Sequence, residues 1–306
     1  MYTEKVKVIA DPAFPLDGLL TFPDGAEGPV PAVVMVHGSG PSNKDEKVLK
    51  LTPFKDLAEG LAKRGIASVR YDKRTFVYGF KMRKLTVTAH EETIDDAIAA
   101  LELLKNDHRI DPDRIFILGH SMGAMLAPRI DAEGGDARGM IMLAGTPIPL
   151  EDILLRQLRQ GQTKNPLLKG VTWAEYKIFS KKFADLRQMS DEEAKKKKFM
   201  NNMTLYYFKD MGRKSASEYL LENEKPALIL QGGKDFQVLE SVDLKAFREQ
   251  LADRPNVTYK VYPELNHCFV NGIYNDILKA SKEYSVEQHI GDEVFDDIAA
   301  FIRAQQ

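Results

Sequence analysis

Apolar and polar positions along this chain follow two regular patterns, interrupted once by a long stretch of different character. Lys5–Ala10 alternates apolar and charged residues and predicts an edge strand, with Gly18–Phe22 as its hairpin partner. Pro31–Val36 is apolar throughout, as expected of a strand covered on both faces. Pro53–Arg64 places Phe54, Leu57, Ala58 and Leu61 on one helical face; Gly65 ends it, and Ile66–Tyr71 predicts the next strand. A long helix is predicted from about His90 to Lys105, with Ile94, Ala97, Ile98, Leu101 and Leu104 as its apolar positions. Arg114–Leu118 predicts a strand running straight into a second helix, which Pro128 should kink or shorten. Gly139–Ala144 is another apolar strand.

The pattern then changes. From about Thr146 to Glu224 no clear strand is visible, and helical spacing dominates Asp152–Gln160, Thr172–Phe183 and Asp191–Phe208. Alternation resumes with a strand at Pro226–Gln231, a helix at Ser241–Leu251, a strand at Asn256–Tyr262 and a closing helix at Val286–Ala304. Strands alternating with helices imply a mostly parallel sheet covered by helices on both faces. The interruption, about 80 residues, is too long for a loop. It reads as a helical lid (cap), residues 146–224, inserted into a core made of 1–145 and 225–306. Lys195-Lys196-Lys197-Lys198 within it reads as a solvated helix face.

The chain's 306 residues suffice for one large α/β domain with an insertion, and 43% hydrophobic residues suffice for its core. A net charge of −2 gives no electrostatic reason to expect nucleic acid or an anionic membrane as partner. Cys268 is the single cysteine, so no intrachain disulfide forms; its ordinary reading is a small buried residue. The N-terminal residues show no signal-like apolar run, and nothing approaches 18 uninterrupted apolar residues. These features lead to the expectation of a soluble, cytoplasmic protein.

Gly119-His120-Ser121-Met122-Gly123 sits between the predicted strand and helix. A Gly-x-Ser-x-Gly there forms a sharp turn that lifts a serine hydroxyl toward a substrate, the nucleophile elbow. Small neighbours are needed because strand and helix approach closely. The turn also places the Met122 N–H at a helix N-terminus, where negative charge is stabilised.

A serine hydroxyl needs a base. Of six histidines, only His267 follows directly on the last predicted strand, at the carboxyl edge where such sites form. His37 lies in the loop after Pro31–Val36 and reads as structural; His120 should point away from the Ser121 hydroxyl. His90 and His108 read as surface residues and His289 as structural. The base needs an orienting carboxylate. Asp235, after Gly232-Gly233-Lys234, is the strongest candidate, ahead of Asp210, Glu240 and Asp243. Ser121, Asp235 and His267 follow in the order nucleophile, acid, base. A second donor for the oxyanion is expected from His37-Gly38-Ser39-Gly40, with the Ser39 N–H chosen.

These residues carry a family likeness. His37–Pro41, Tyr71-Asp72-Lys73-Arg74, Gly119–Gly123 and Leu265-Asn266-His267 resemble four motifs of the α/β-hydrolase superfamily, over nearly the whole chain. Within it the chain is most similar to bacterial serine esterases and acyl hydrolases of the dienelactone-hydrolase-like group. The resemblance implies the α/β-hydrolase fold with a helical lid after the sixth strand. One departure is visible: where the family commonly has Gly-x-Gly-x-Ser after the arginine, this chain has Thr75-Phe76-Val77-Tyr78-Gly79-Phe80, bulky residues expected to form a loop near the acyl pocket. In the lid, Trp173, Tyr176, Phe179, Phe183, Phe199, Tyr206, Tyr207 and Phe208 either pack it onto the core or line an apolar pocket.

The expected function is a serine-dependent carboxylic ester hydrolase for small to medium acyl esters, aromatic acyl esters included, working through an acyl-enzyme. An acyltransferase or thioesterase would use the same groups. A peptidase is less favoured, and a dehalogenase would carry aspartate in place of Ser121. A non-catalytic binding protein would typically lack one of the three residues. No metal spacing, phosphate loop or dinucleotide fingerprint is present, so no cofactor is expected. The expected partner is a small-molecule ester, with a homodimer left open.

Overall fold

In the computed structural model, each fully apolar run becomes a strand whose two faces are both covered. The structure describes residues 1–305 apart from 84, 165, 201 and 202, which lie outside the description together with 306; the side chains of 162–169 are also not described. Strand β3 (Val30–Val36) shows the principle: Ala32, Val34 and Val36 pack into the core on one face and Val33 and Met35 into the core on the other.

The remaining strands of the main sheet are β1 (Tyr2–Val8), β2 (Leu16–Phe22), β4 (Ala67–Tyr71), β5 (Ile110–His120), β6 (Gly139–Leu143), β9 (Ala227–Gly232) and β10 (Val257–Tyr262). Their spatial order is β1-β2-β4-β3-β5-β6-β9-β10. The β1–β2 and β2–β4 pairs are antiparallel and all the others parallel. The carboxyl ends of β3, β5, β6, β9 and β10 therefore share one edge. Helices α3 (Asp95–Lys105), α4 (Met122–Ile130) and α10 (Lys245–Gln250) bury apolar residues on one face of the sheet. On the other face α1 (Pro53–Ala62) and α12 (Asp292–Ala304) do the same. This is the expected α/β-hydrolase architecture.

Several elements differ from the sequence reading. The helix expected from His90 opens as one wider turn with i→i+5 hydrogen bonding at His90–Ile94 before α3, and the helix expected at Ser241 opens likewise at Glu240–Leu244. The last helix starts at Asp292, not at Val286; Gly291 is its N-cap, and Asp292 and Glu293 place negative charge at its N-terminus. Pro128 lies within α4, whose torsions stay helical to Ile130, and a wide turn at Asp131–Gly135 follows.

Residues Thr75–Phe80 are not a loop. They belong to helix α2 (Arg74–Met82), which buries Arg74 and Met82 and turns Phe76, Val77 and Phe80 to solvent. Of the bulky residues expected near the acyl pocket, Phe76, Val77 and Phe80 are thus surface residues, whereas half-buried Tyr78 packs against the core and donates to Pro15 O at 2.8 Å.

The insertion holds α5 (Leu150–Lys164), α6 (Pro166–Phe183), α7 (Asp191–Lys196), β7 (Lys198–Met200), β8 (Met203–Thr204), α8 (Leu205–Met211) and α9 (Ala216–Leu221). The helix expected over Asp191–Phe208 is therefore two short helices around a small antiparallel hairpin. Phe179, Phe183, Phe199 and Phe208 pack against one another, mostly tilted or edge to face, with centroids 4.6–6.4 Å apart, and form a core within the insertion. Trp173 is about half exposed, with Lys177 Nζ 3.8 Å from its ring centroid. Buried ion pairs tie the insertion down: Arg129 of α4 to Asp210 of α8 at 3.0 Å, and Arg156 of α5 to Asp243 at 2.6 Å.

Candidate active site

Ser121 stands between β5 and α4 with φ 54° and ψ −116°, a conformation costing on the order of 1–3 kcal/mol unless its surroundings enforce it. They do. The Ser121 N–H donates to Leu143 O of β6 at 2.8 Å. A Cβ on Gly119 would lie 2.3 Å from Gly123 O, and one on Gly123 would lie 2.0 Å from Val36 O. Only glycine fits at either place, so the elbow is fixed by backbone packed against backbone. The Ser121 side chain does not cap α4 and remains half-exposed. As the first residue of α4, Met122 has an N–H without an intrahelical partner.

His267 follows β10, and its Nδ1 is 2.7 Å from Asp235 Oδ2. Asp235 follows β9. Its side chain is fully buried, and Oδ1 accepts the N–H groups of Gln237 (2.7 Å) and Val238 (3.0 Å). Gln231 Nε2 donates to Oδ2 at 3.3 Å. These donors fix the carboxylate, and the carboxylate fixes the imidazole with Nδ1 engaged and Nε2 left for other work. Among the described residues no hydrogen bond joins the Ser121 hydroxyl to His267. Such bonds are often long or misaligned before a substrate arrives.

Two of the three rival carboxylates are engaged elsewhere. Asp210 holds Arg129, and Asp243 holds Arg156, the Thr146 hydroxyl (2.7 Å) and the Leu239 N–H (2.6 Å). Glu240 is half-exposed in the turn before α10.

The loop after β3 lies against Ser121: a Cβ on Gly38 would be 3.2 Å from Ser121 Cβ. The Gly38 N–H donates to Glu46 Oε1 at 2.7 Å and is therefore engaged. The next amide along, that of the exposed Ser39, has no hydrogen-bond partner among the described residues. His37 is buried, bonded through Nε2 to Asn43 O at 3.0 Å, and burial lowers its pKa to about 4, as suits a structural residue.

His120 enters a buried network that the sequence did not announce. Its ring centroid is 4.8 Å from that of His267, and its Nε2 is 2.9 Å from His267 O. Its Nδ1 is 3.0 Å from Glu46 Oε2, an ion pair without hydrogen-bond alignment. Burial opposes charge on both groups, yet their attraction prevails: the His120 pKa is raised and that of Glu46 is lowered. Glu46 itself has a left-handed backbone, φ 49°.

A second buried cluster lies on the other side of the loop. Lys73 Nζ donates to Gly38 O (2.9 Å) and to Glu92 Oε1 (2.6 Å). Tyr207 of the insertion donates to Glu92 Oε2 at 2.7 Å and lies 3.3 Å from Met122 Sδ. Behind His267, Asn266 Oδ1 accepts the Cys268 N–H at 3.0 Å, and Nδ2 donates to the fully buried Glu283 at 2.9 Å. Glu46, Glu92 and Glu283 had no motif to mark them. Glu46 and Glu283 are buried acids in stretches whose other residues are mostly exposed or half-exposed, so no sequence pattern marks them. Cys268 is buried, and burial raises its pKa well above the ordinary thiol value.

The family model described as Hydrolase_4: Serine aminopeptidase, S33 matches residues 29–272, most of the chain, including Ser121, Asp235 and His267. The chain belongs to this family. Esterase EstD from Thermotoga maritima is 36% identical over 287 residues, covering 94% of this chain and 65% of EstD. The chain thus spans just under two thirds of that relative's length. Among solved structures, Est1E from Butyrivibrio proteoclasticus superposes with a TM-score of 0.59 at 15% identity, covering 98% of each chain. A puromycin-hydrolyzing peptidase from Mycobacterium tuberculosis gives 0.61 at 16% identity, covering 99% of this chain and 39% of its own. At such identities the likeness is one of fold, which hosts esterases and peptidases alike. Among the described residues no helix is long and apolar enough to cross a membrane, and no group of acidic, histidine or cysteine side chains could hold a metal ion.

Proposed function

We propose that this chain is a serine-dependent carboxylic ester hydrolase. The observation that carries the reading is the 2.7 Å bond between buried Asp235 and His267, on the sheet edge that also holds the strained Ser121. The kinship with EstD favours an ester over an amide as substrate.

In this reading His267 Nε2 takes the Ser121 proton as Oγ attacks the acyl carbon, and Asp235 stabilises the imidazolium that forms. The oxyanion is received by the N–H groups of Met122 and Ser39. The imidazolium then gives its proton to the leaving alkoxide. Water, activated by the same histidine, releases the acyl group from Ser121. The insertion serves as a lid over the strand ends, and the substrates are small to medium acyl esters, aromatic acyl esters included. The work is done by the chain's own side chains and amides, without a cofactor.

The test is hydrolysis of p-nitrophenyl acyl esters of increasing chain length, with a feruloyl ester alongside, by wild type and Ser121→Ala. Turnover that collapses in the variant supports the reading, and the chain-length optimum sizes the acyl site. Turnover that survives in Ser121→Ala overturns it. Equal rates on acetyl, long-chain and feruloyl esters would remove the aromatic acyl preference.

A further inference from the structure

The peptide joining Gly38 to Ser39 is held from beyond the site by a buried charge. Lys73 is 1% exposed, and its Nζ donates to Gly38 O at 2.9 Å. The peptide is trans and planar, so its N–H, that of Ser39, points opposite to its C=O. Whatever fixes the carbonyl fixes the direction of the amide. The preceding N–H, that of Gly38, is held by Glu46 at 2.7 Å. The Gly38 residue thus has a cation on its carbonyl and an anion on its amide.

We infer that Lys73 is a positioning residue for the Ser39 oxyanion donor, and that Glu92 and Tyr207 form a strut that carries the insertion's position to it. The inference rests on the proposed role of the Ser39 amide. Lys73 acts in two ways. Its bond sets the carbonyl direction, and its positive charge draws density from the peptide, making the Ser39 N–H a stronger donor. Glu92, 5% exposed, compensates that charge at 2.6 Å. Tyr207 completes the strut: its hydroxyl donates to the second Glu92 oxygen, and its place against Met122 Sδ puts the insertion beside the other oxyanion donor. Burial and the Glu92 carboxylate keep Tyr207 a protonated donor. One tyrosine of the insertion is therefore joined to both halves of the oxyanion site, through Met122 directly and through Glu92 and Lys73 to Gly38.

The test uses the full chain and p-nitrophenyl acetate. Lys73→Met alone leaves Glu92 a buried unpaired charge, so the informative variant is Lys73→Met with Glu92→Gln, whose neutral amide can still meet Tyr207. The expected result is a fall in kcat of about 10- to 100-fold, with KM changed less than about 3-fold, because an oxyanion donor acts on the transition state. Lys73→Arg, which keeps both hydrogen bonds, should recover most of the loss. A purely structural role would instead lower the melting temperature and leave kcat of the folded enzyme at the wild-type value. That result overturns the inference, as does an equal loss in Lys73→Arg. If the double variant does not fold, Tyr207→Phe, which frees Glu92 to draw Lys73 away from Gly38, is expected to lower kcat about 3- to 10-fold at unchanged KM; wild-type kcat there overturns the inference. Ser121→Ala runs in parallel. Activity persisting in it sinks the serine esterase reading itself, whereas a dead Ser121→Ala beside wild-type kcat in the Lys73 and Tyr207 variants sinks only this one.

Discussion

Glu46 Oε2 and His120 Nδ1 stand 3.0 Å apart, both side chains almost completely buried. The pair joins three pieces of the site that are distant in sequence. Glu46 also holds the Gly38 N–H, His120 immediately precedes Ser121, and the far nitrogen of His120 meets the His267 carbonyl. Removing Glu46 strips the buried Gly38 N–H of its acceptor and leaves His120 a buried imidazole that must shed its proton. Glu46→Ala should therefore destabilise the protein by about 3–5 kcal/mol. Glu46→Gln should cost less, since its amide oxygen can still accept from Gly38. Urea unfolding of both variants measures this, and equal stabilities would contradict it.

Asp235 and Asp243 are both buried acids near the same sheet edge, and they should fail differently. Asp235→Asn should lower kcat by roughly 10³–10⁴-fold while the protein stays folded, because the amide no longer favours the tautomer with Nδ1–H toward residue 235. Asp243→Asn should leave kcat nearly intact and lower stability by about 1–3 kcal/mol, since it weakens bonds to Arg156, Thr146 and Leu239. Steady-state kinetics and thermal melts on the two variants separate the roles.

The elbow tolerates no side chain at its second glycine. An alanine at Gly123 would put its Cβ 2.0 Å from Val36 O, which belongs to a central strand and cannot retreat. Gly123→Ala should abolish soluble, active protein, whereas alanine at Gly79, with nothing within 4 Å of the added Cβ, should leave melting temperature and kcat close to wild type. Expression and melting of the pair check the contrast.

His37 makes stability depend on acidity. Burial lowers its pKa from 6.5 to about 4 in the folded chain. Between those values the unfolded chain binds more protons than the folded one, so stability is present above pH 6.5 and is lost as the pH falls toward 4. The loss amounts to about 3 kcal/mol for this one group. The raised pKa of His120 acts in the opposite direction: its contribution is complete below pH 6.5 and is lost as the pH rises through its folded value. Urea unfolding from about pH 7 to about pH 4 should show the acid loss, and His37→Gln should flatten it.

Much of this molecule is legible in one dimension because its signals are local. An apolar run five or six residues long, bounded by glycine or polar turns, is a two-sided strand, and helices between such runs leave few topologies open. Ser121, Asp235 and His267 could be named for the same reason: each directly follows a strand, and parallel strands bring their carboxyl ends to one edge. The elements that went astray lack such a marker. Asp191–Phe208 has helical spacing, yet Phe199 and Phe208 pack onto Phe183, and β7 and β8 pair antiparallel instead of continuing a helix. Phe76 and Phe80 look like pocket residues but lie on the outward face of α2. Pairings such as Glu46 with His120 and Lys73 with Glu92 were decided by tertiary structure alone. A buried charge has no local preference for its partner, and only the folded core, by removing water, makes one partner obligatory.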